Sequence, residues 1–238
     1  MLFNTPLFFL FFACFLFLYS FVFLKHYPRL LLILVGSLIF YAGWNYRFIP
    51  LLVMSGVIDY FVANAIQGAS ESRRRKLLLS ISIVTNLGIL AIFKYSDFAM
   101  QSVSDMFSLF GYELNWTMLN FVLPVGISFY TFQSMSYTID VYRGEMKAQK
   151  GLLTFIAALS FFPQLVAGPI LRARYILPQL EHLPSPTWIG AKHGALLFTI
   201  GLFKKTLADL LAANVSVAFD GGAVSTLEAW TGTLAFAA

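Results

Sequence analysis

"SFFPQLVAGPILRARYILPQL", residues 160–180, decides how the chain is read. Pro163 and Pro169 each remove a backbone donor, Gly168 stands beside the second, and Arg172 and Arg174 follow. A single unbroken helix is not expected here. Non-helical backbone at membrane depth survives only where protein buries it or where it lines a cavity. Two readings follow. Residues 161–175 form a broken or re-entrant membrane element, or a span ends at Pro163 and a loop carries the chain onward.

The rest of the sequence supplies the membrane. Hydrophobic residues make up 59% of the chain and charged residues only 11%, against about 25% in a soluble domain. Mean hydropathy is +0.77. The net charge of +5 comes from bases clustered between apolar runs, which suits membrane orientation and not a nucleic-acid partner. Cys14 is the sole cysteine, so an intrachain disulfide and a cysteine-based metal site are excluded. The first apolar run lacks a basic leader and exceeds a signal-peptide core, so it is expected to remain as a span.

A helix needs about 20 apolar residues to cross the hydrocarbon. The expected fold is all-α and polytopic: about seven spans, near 6–24, 30–46, 48–68, 77–94, 116–140, 151–167 and 191–213. A partial eighth begins near 227. Tyr46–Pro50 is expected to form a tight turn. Three loops on one side hold Lys25 and Arg29, then Arg73, Arg74, Arg75 and Lys76, then Arg143, Lys147 and Lys150. The other side holds Arg47 and Lys94. That asymmetry places the basic loops in the cytoplasm and the N-terminus outside. Residues 97–113 are too polar to span, so they form either an amphipathic surface helix or a surface loop.

Polar groups inside the spans narrow the choices. Asp59 sits mid-span near Ser55 and Asn64, as a functional carboxylate or as a buried hydrogen-bond acceptor. Ser128, Thr131, Met135 and Thr138 share one helical face, flanked by Gln133, Ser134 and Ser136. That face either packs against other helices or lines a tunnel. Lys204 and Lys205 interrupt an apolar helix, where one could face an anionic donor or both could anchor the interface. Lys205 and Asp209 are spaced to share a face. The chain has no HExxH, phosphate-binding loop, GxSxG or CxxC. Neither His26, His182 nor His193 stands at metal-ligand spacing from another, and no metal site is expected.

The run Phe161–Arg172 resembles the signature of the membrane-bound O-acyltransferase family, most closely its bacterial alginate O-acetylation branch. "LFNTPLFF" at the start, "LPVGISFYTFQSMSYTIDVYRG" at 123–144 and "GLFKKTLAD" at 201–209 extend the resemblance over most of the chain. It marks Phe162, Pro163, Gln164, Gly168, Pro169 and Arg172 as the signature residues. It implies a single transmembrane domain with a funnel, and a location in the bacterial inner membrane. The donor would be cytoplasmic, acetyl-CoA or an acyl carrier, with no bound cofactor. The acceptor would be an exported polysaccharide, reached with periplasmic acetylation proteins. The family's catalytic histidine lies in a Trp-His-Gly motif downstream of the signature. His193 has the glycine without the tryptophan, so the catalytic group is expected beyond residue 238, and residues 1–238 are expected to be the N-terminal part of a longer domain. D-alanyl transfer to teichoic acid, and a non-catalytic scaffold or transporter half, are the alternatives.

Overall fold

The computed structural model describes residues 3, 5–110, 112, 123–165, 168, 171–219 and 225–237. All regular structure among them is helical. Met1–Pro184 forms one compact unit and Ser185–Ala238 a second.

In the first unit, α1 (Pro6–Phe17) starts at Thr5, whose hydroxyl accepts the Phe8 amide at 3.3 Å, and Pro6 occupies the first turn. A π-helical turn extends it to Val22. Helix α2 (His26–Asn45) passes through a 3₁₀ turn at Tyr46–Phe48 into α3 (Ile49–Gly68), with Pro50 in the first turn of α3. The tight turn expected around Tyr46–Pro50 is therefore present. Then come α4 (Ser72–Ser108), α5 (Ile127–Arg143), α6 (Leu152–Ser160), α7 (Phe162–Leu165) and α8 (Ala173–Glu181).

Contacts between helix ends fix their directions. The start of α4 meets the end of α5, where Arg75 donates to the Tyr142 carbonyl at 2.5 Å. Gln67, at the end of α3, accepts the Ala148 amide just beyond α5. His26, at the start of α2, hydrogen-bonds the Leu180 carbonyl at 2.9 Å. The three basic loops thus gather at one end of the bundle. At the other end Trp44 stacks on Phe48, and Phe48 meets Phe93 edge-on. Between the two ends Tyr41, Leu52, Leu90, Ile127, Tyr130, Leu159 and Leu165 form the core.

Polarity is arranged inside out. Asp59, Ser82, Asn86, Ser134 and Thr138 are buried, whereas Leu77, Ile81, Val84, Leu87 and Ile92 on α4 are exposed. Two helical stretches, His26–Gly68 and Ser72–Ser108, are long and apolar enough to cross a membrane. Outward apolar faces of this extent need lipid, and the chain associates with a membrane.

Three expectations change. Residues 97–108 continue α4 and do not form a separate surface helix, because nothing in "KYSDFAMQSVSDMFS" stops a helix: it contains neither Gly nor Pro. The helix of 37 residues is about 55 Å long, well beyond a hydrocarbon thickness of about 30 Å. Of the remainder of 97–113, residues 111 and 113 lie outside the described ones. The span expected at 116–140 has its described helix only from Ile127, and residues 116–122 lie outside the described ones. The span expected at 151–167 is broken after Ser160, because Phe161 turns extended (ψ 111°).

In the second unit, α9 (Trp188–Phe219) packs against α10 (Thr226–Ala237). Leu197, Phe203 and Leu210 on α9 are exposed and apolar.

Gly126 precedes α5 with φ +77°, and a Cβ there would strike the Leu165 carbonyl. Gly144, after α5, has φ +76° but open space around it. The left-handed backbone alone costs a residue with a Cβ about 1–2 kcal/mol. Gly126→Ala is therefore expected to lower the midpoint of thermal unfolding in detergent clearly more than Gly144→Ala.

Candidate functional site

The bundle is organised around one carboxyl group. Asp59 on α3 is fully buried (0% exposed). It accepts from Ser82 Oγ at 2.5 Å and Asn86 Nδ2 at 2.7 Å, both on α4, and from Ser134 Oγ on α5. Ser55 Oγ donates to Asn86 Oδ1 at 2.9 Å, which orients that amide toward the carboxyl. Thr138 Oγ1 donates to the Ser134 carbonyl at 3.1 Å. Of the two readings of Asp59, the hydrogen-bonded acceptor is the one seen. Asn64 lies apart from this network, turned to the Gln149 carbonyl.

Among the described residues, the polar face of α5 packs against its neighbours. Ser134 and Thr138 meet α3 and α4, while Gln133 turns to α6 and donates to the Ala158 carbonyl at 3.4 Å. Ser128 is half-buried and Ser136 bonds its own helix through the Gln133 carbonyl.

Helix α6 brings the signature segment into this core. Gly56 on α3 makes the approach possible, since a Cβ there would lie 2.7 Å from Ile156 Cδ1 and 2.8 Å from Leu159 Cδ2. After Phe161 the chain restarts as α7, with Pro163 in its first turn, where a missing donor is tolerated. The Phe162 amide donates to Ser37 Oγ on α2 at 3.2 Å. Its ring packs among Phe11, Phe15 and Phe40. Gln164 is buried and donates to the Ala158 carbonyl at 2.8 Å and to Gln133 Oε1 at 3.2 Å. The Gly168 amide donates to the Gln164 carbonyl at 3.1 Å.

This segment reaches deep and comes back. Helix α6 begins beside the basic loop at Gly151, and Leu165 meets Gly126, at the far end of α5 from Arg143. Helix α5 alone spans about 25 Å. Helix α8 lies at the basic end again, where Arg174 pairs with Glu145 at 3.5 Å and Leu180 meets His26. The break is as expected from the prolines. Leu165 lies at the opposite end of the bundle from the basic loops.

The sequence-predicted residues divide accordingly. Phe162 and Gln164 are buried in the core, and Pro163 and Arg172 are exposed. Pro169 lies outside the described residues. Lys204 and Lys205 are exposed in the second unit, and Lys205 pairs with Asp209, as their spacing suggested. His182 and His193 are exposed. Among the described residues no group of three or more His, Cys, Asp or Glu could hold a metal ion. What the arrangement supplies is a rigid scaffold around a broken helix. Sequence reading missed Gln67 and Tyr137, which hold the amides of Ala148 and Gln149 in the loop after α5.

Comparison with known proteins identifies the lineage. A probable alginate O-acetylase AlgI from Pseudomonas aeruginosa is 37% identical over 232 residues, covering 94% of this chain and 44% of that protein. Its counterpart in Azotobacter vinelandii is 36% identical, over all of this chain and 48% of its own length. The chain is a homologue of proteins named as probable alginate O-acetylases AlgI. A peptidoglycan O-acetyltransferase from Helicobacter pylori is 32% identical over 99% of this chain and 50% of its own length. The chain spans about half the length of the curated relatives it matches. No protein-family model matches it, and no solved structure does.

Removal of the central carboxyl should loosen three helices at once. Hydrogen bonds between membrane helices average about 0.6 kcal/mol each, so Asp59→Leu is expected to lose about 2 kcal/mol. Asp59→Asn keeps an acceptor oxygen and should lose less. Ser55→Ala, one bond removed from the carboxyl, should lose least. Thermal unfolding of the purified variants in detergent reads this order.

Proposed function

We propose that this chain is part of a membrane O-acyltransferase. The enzyme moves an acetyl or other acyl group from a cytoplasmic donor, acetyl-CoA or an acyl carrier, to an exported polysaccharide or a periplasmic partner protein. The observation that carries the reading is identity of 36–37% with alginate O-acetylases across nearly the whole chain. In such a transfer an acceptor hydroxyl attacks the acyl carbonyl while a general base takes its proton, and the donor's thiol leaves. The Trp-His-Gly base implied by the family resemblance has no counterpart in His26, His182 or His193. The residues here would therefore hold the funnel's scaffold: the pinned helices α3–α5 and the broken element 161–175. The signature residues Phe162, Pro163, Gln164, Gly168, Pro169 and Arg172 shape that element, and Lys204 or Lys205 would lie on the donor side.

The proposed setting is the bacterial inner membrane, in one transmembrane domain with about seven spans, a partial eighth and the N-terminus outside. The gathering of the basic loops at one end supports that orientation. The Helicobacter relative, named for peptidoglycan, supports a second reading of the acceptor.

Disruption of the gene in its own host tests both. Loss of ester-linked acetate from exported polysaccharide, restored by the gene in trans, is the expected result. Loss confined to peptidoglycan would favour the second acceptor. Unchanged acetylation of both would refute the proposal.

A further inference from the structure

The loop Gly144–Gly151 between α5 and α6 is polar and yet firmly held. Gln67 Oε1 on α3 accepts the Ala148 amide. Asn64 Nδ2 donates to the Gln149 carbonyl at 3.2 Å, and Tyr60 Oη to the Lys150 carbonyl at 2.6 Å. The Gln149 amide donates to Tyr137 Oη on α5 at 2.9 Å. Gln149 then closes the loop on itself: its Oε1 accepts the amides of Lys150 at 2.6 Å and Gly151 at 3.3 Å. Its Nε2 donates to Glu181 Oε1 on α8 at 2.7 Å. Three helices therefore clamp the loop, bury Ala148 and Gln149, and leave Lys147 and Lys150 exposed.

A cleft of about 360 Å³ lies between this loop and α8, lined by Lys147, Gln149, Lys150, Arg174 and Glu181 among others. Its volume falls within the roughly 300–1,000 Å³ of small-molecule sites. Three cationic residues and one carboxylate line it, and Gln149 already hydrogen-bonds an oxygen of that carboxylate. Neither lysine has an ion-pair partner among the described residues. Arg174 pairs with Glu145 at 3.5 Å and lies over the Tyr175 ring, and its Nε is buried without a hydrogen-bond partner among the described residues. A guanidinium with an unpartnered Nε and two exposed lysines lining one cleft suit a compact polyanion, because the guanidinium fork matches phosphate oxygens.

We propose that this cleft binds a phosphate-bearing ligand through Lys147, Lys150 and Arg174. The phosphate is carried either by a soluble metabolite or by an anionic lipid head group. The inference stands on the cleft alone and is independent of acetyl transfer.

The full chain in phosphatidylcholine nanodiscs is titrated with pyrophosphate, beside Lys147→Gln/Lys150→Gln and a control of equal charge loss, Arg73→Gln/Arg74→Gln. Charged hydrogen bonds of this kind predict about tenfold weaker binding or more in the first variant, and little change in the control. That result assigns a soluble ligand. If pyrophosphate does not bind, phosphatidylglycerol in the disc should slow hydrogen exchange at 146–150 in the wild type and not in the lysine variant, which assigns a head group. Absence of both effects, or equal weakening in the control, overturns the proposal.

Discussion

A single buried carboxyl group sets the geometry of the bundle. Asp59 cannot be solvated at its depth, so it must be surrounded by donors, and those donors come from two neighbouring helices. Between membrane helices the hydrophobic effect gives little preference for one rotation over another, because lipid is as apolar as leucine. Polar partners do. With Ser82, Asn86 and Ser134 all aimed at one residue, the rotation and height of α3, α4 and α5 are fixed together.

The signature segment inherits its position from that arrangement. Once α5 is set, Gly126 offers its bare α-carbon to the Leu165 carbonyl and Gln133 offers its oxygen to Gln164. Gly56 on α3 admits α6, and the phenylalanines of α1 and α2 close over Phe162. At the break itself the Phe162 amide donates to Ser37 and the Ala158 carbonyl accepts from Gln164. The result is a hairpin in which a prolyl break is stable because protein, not lipid, surrounds it.

Local patterns were legible in the sequence and distant partnerships were not. Pro163 announced the break, Pro50 the turn into α3, and the spacing of Lys205 and Asp209 their ion pair, because each depends on a few adjacent residues. Asp59 was recognisable as exceptional, but its two readings could be separated only by knowing that Ser82 and Ser134 face it. Those partners lie 23 and 75 positions away. The clamp on Ala148 and Gln149 was invisible for the same reason, since Gln67 and Tyr137 sit inside other helices. The extension of α4 was misjudged because polarity was taken to end the helix. Polarity ends a membrane crossing; only Gly, Pro or a capping pattern ends the helix itself.

The central claim is that the segment after α5 enters and leaves at the basic end of the bundle. Single cysteines at Lys147 and Gln179, introduced with Cys14 changed to serine, mark the two limbs at exposed positions. Labelling with a membrane-impermeant maleimide in sealed vesicles of known orientation should modify both from the same side. Modification from opposite sides would mean that the segment crosses the membrane once and does not return, and would contradict the account.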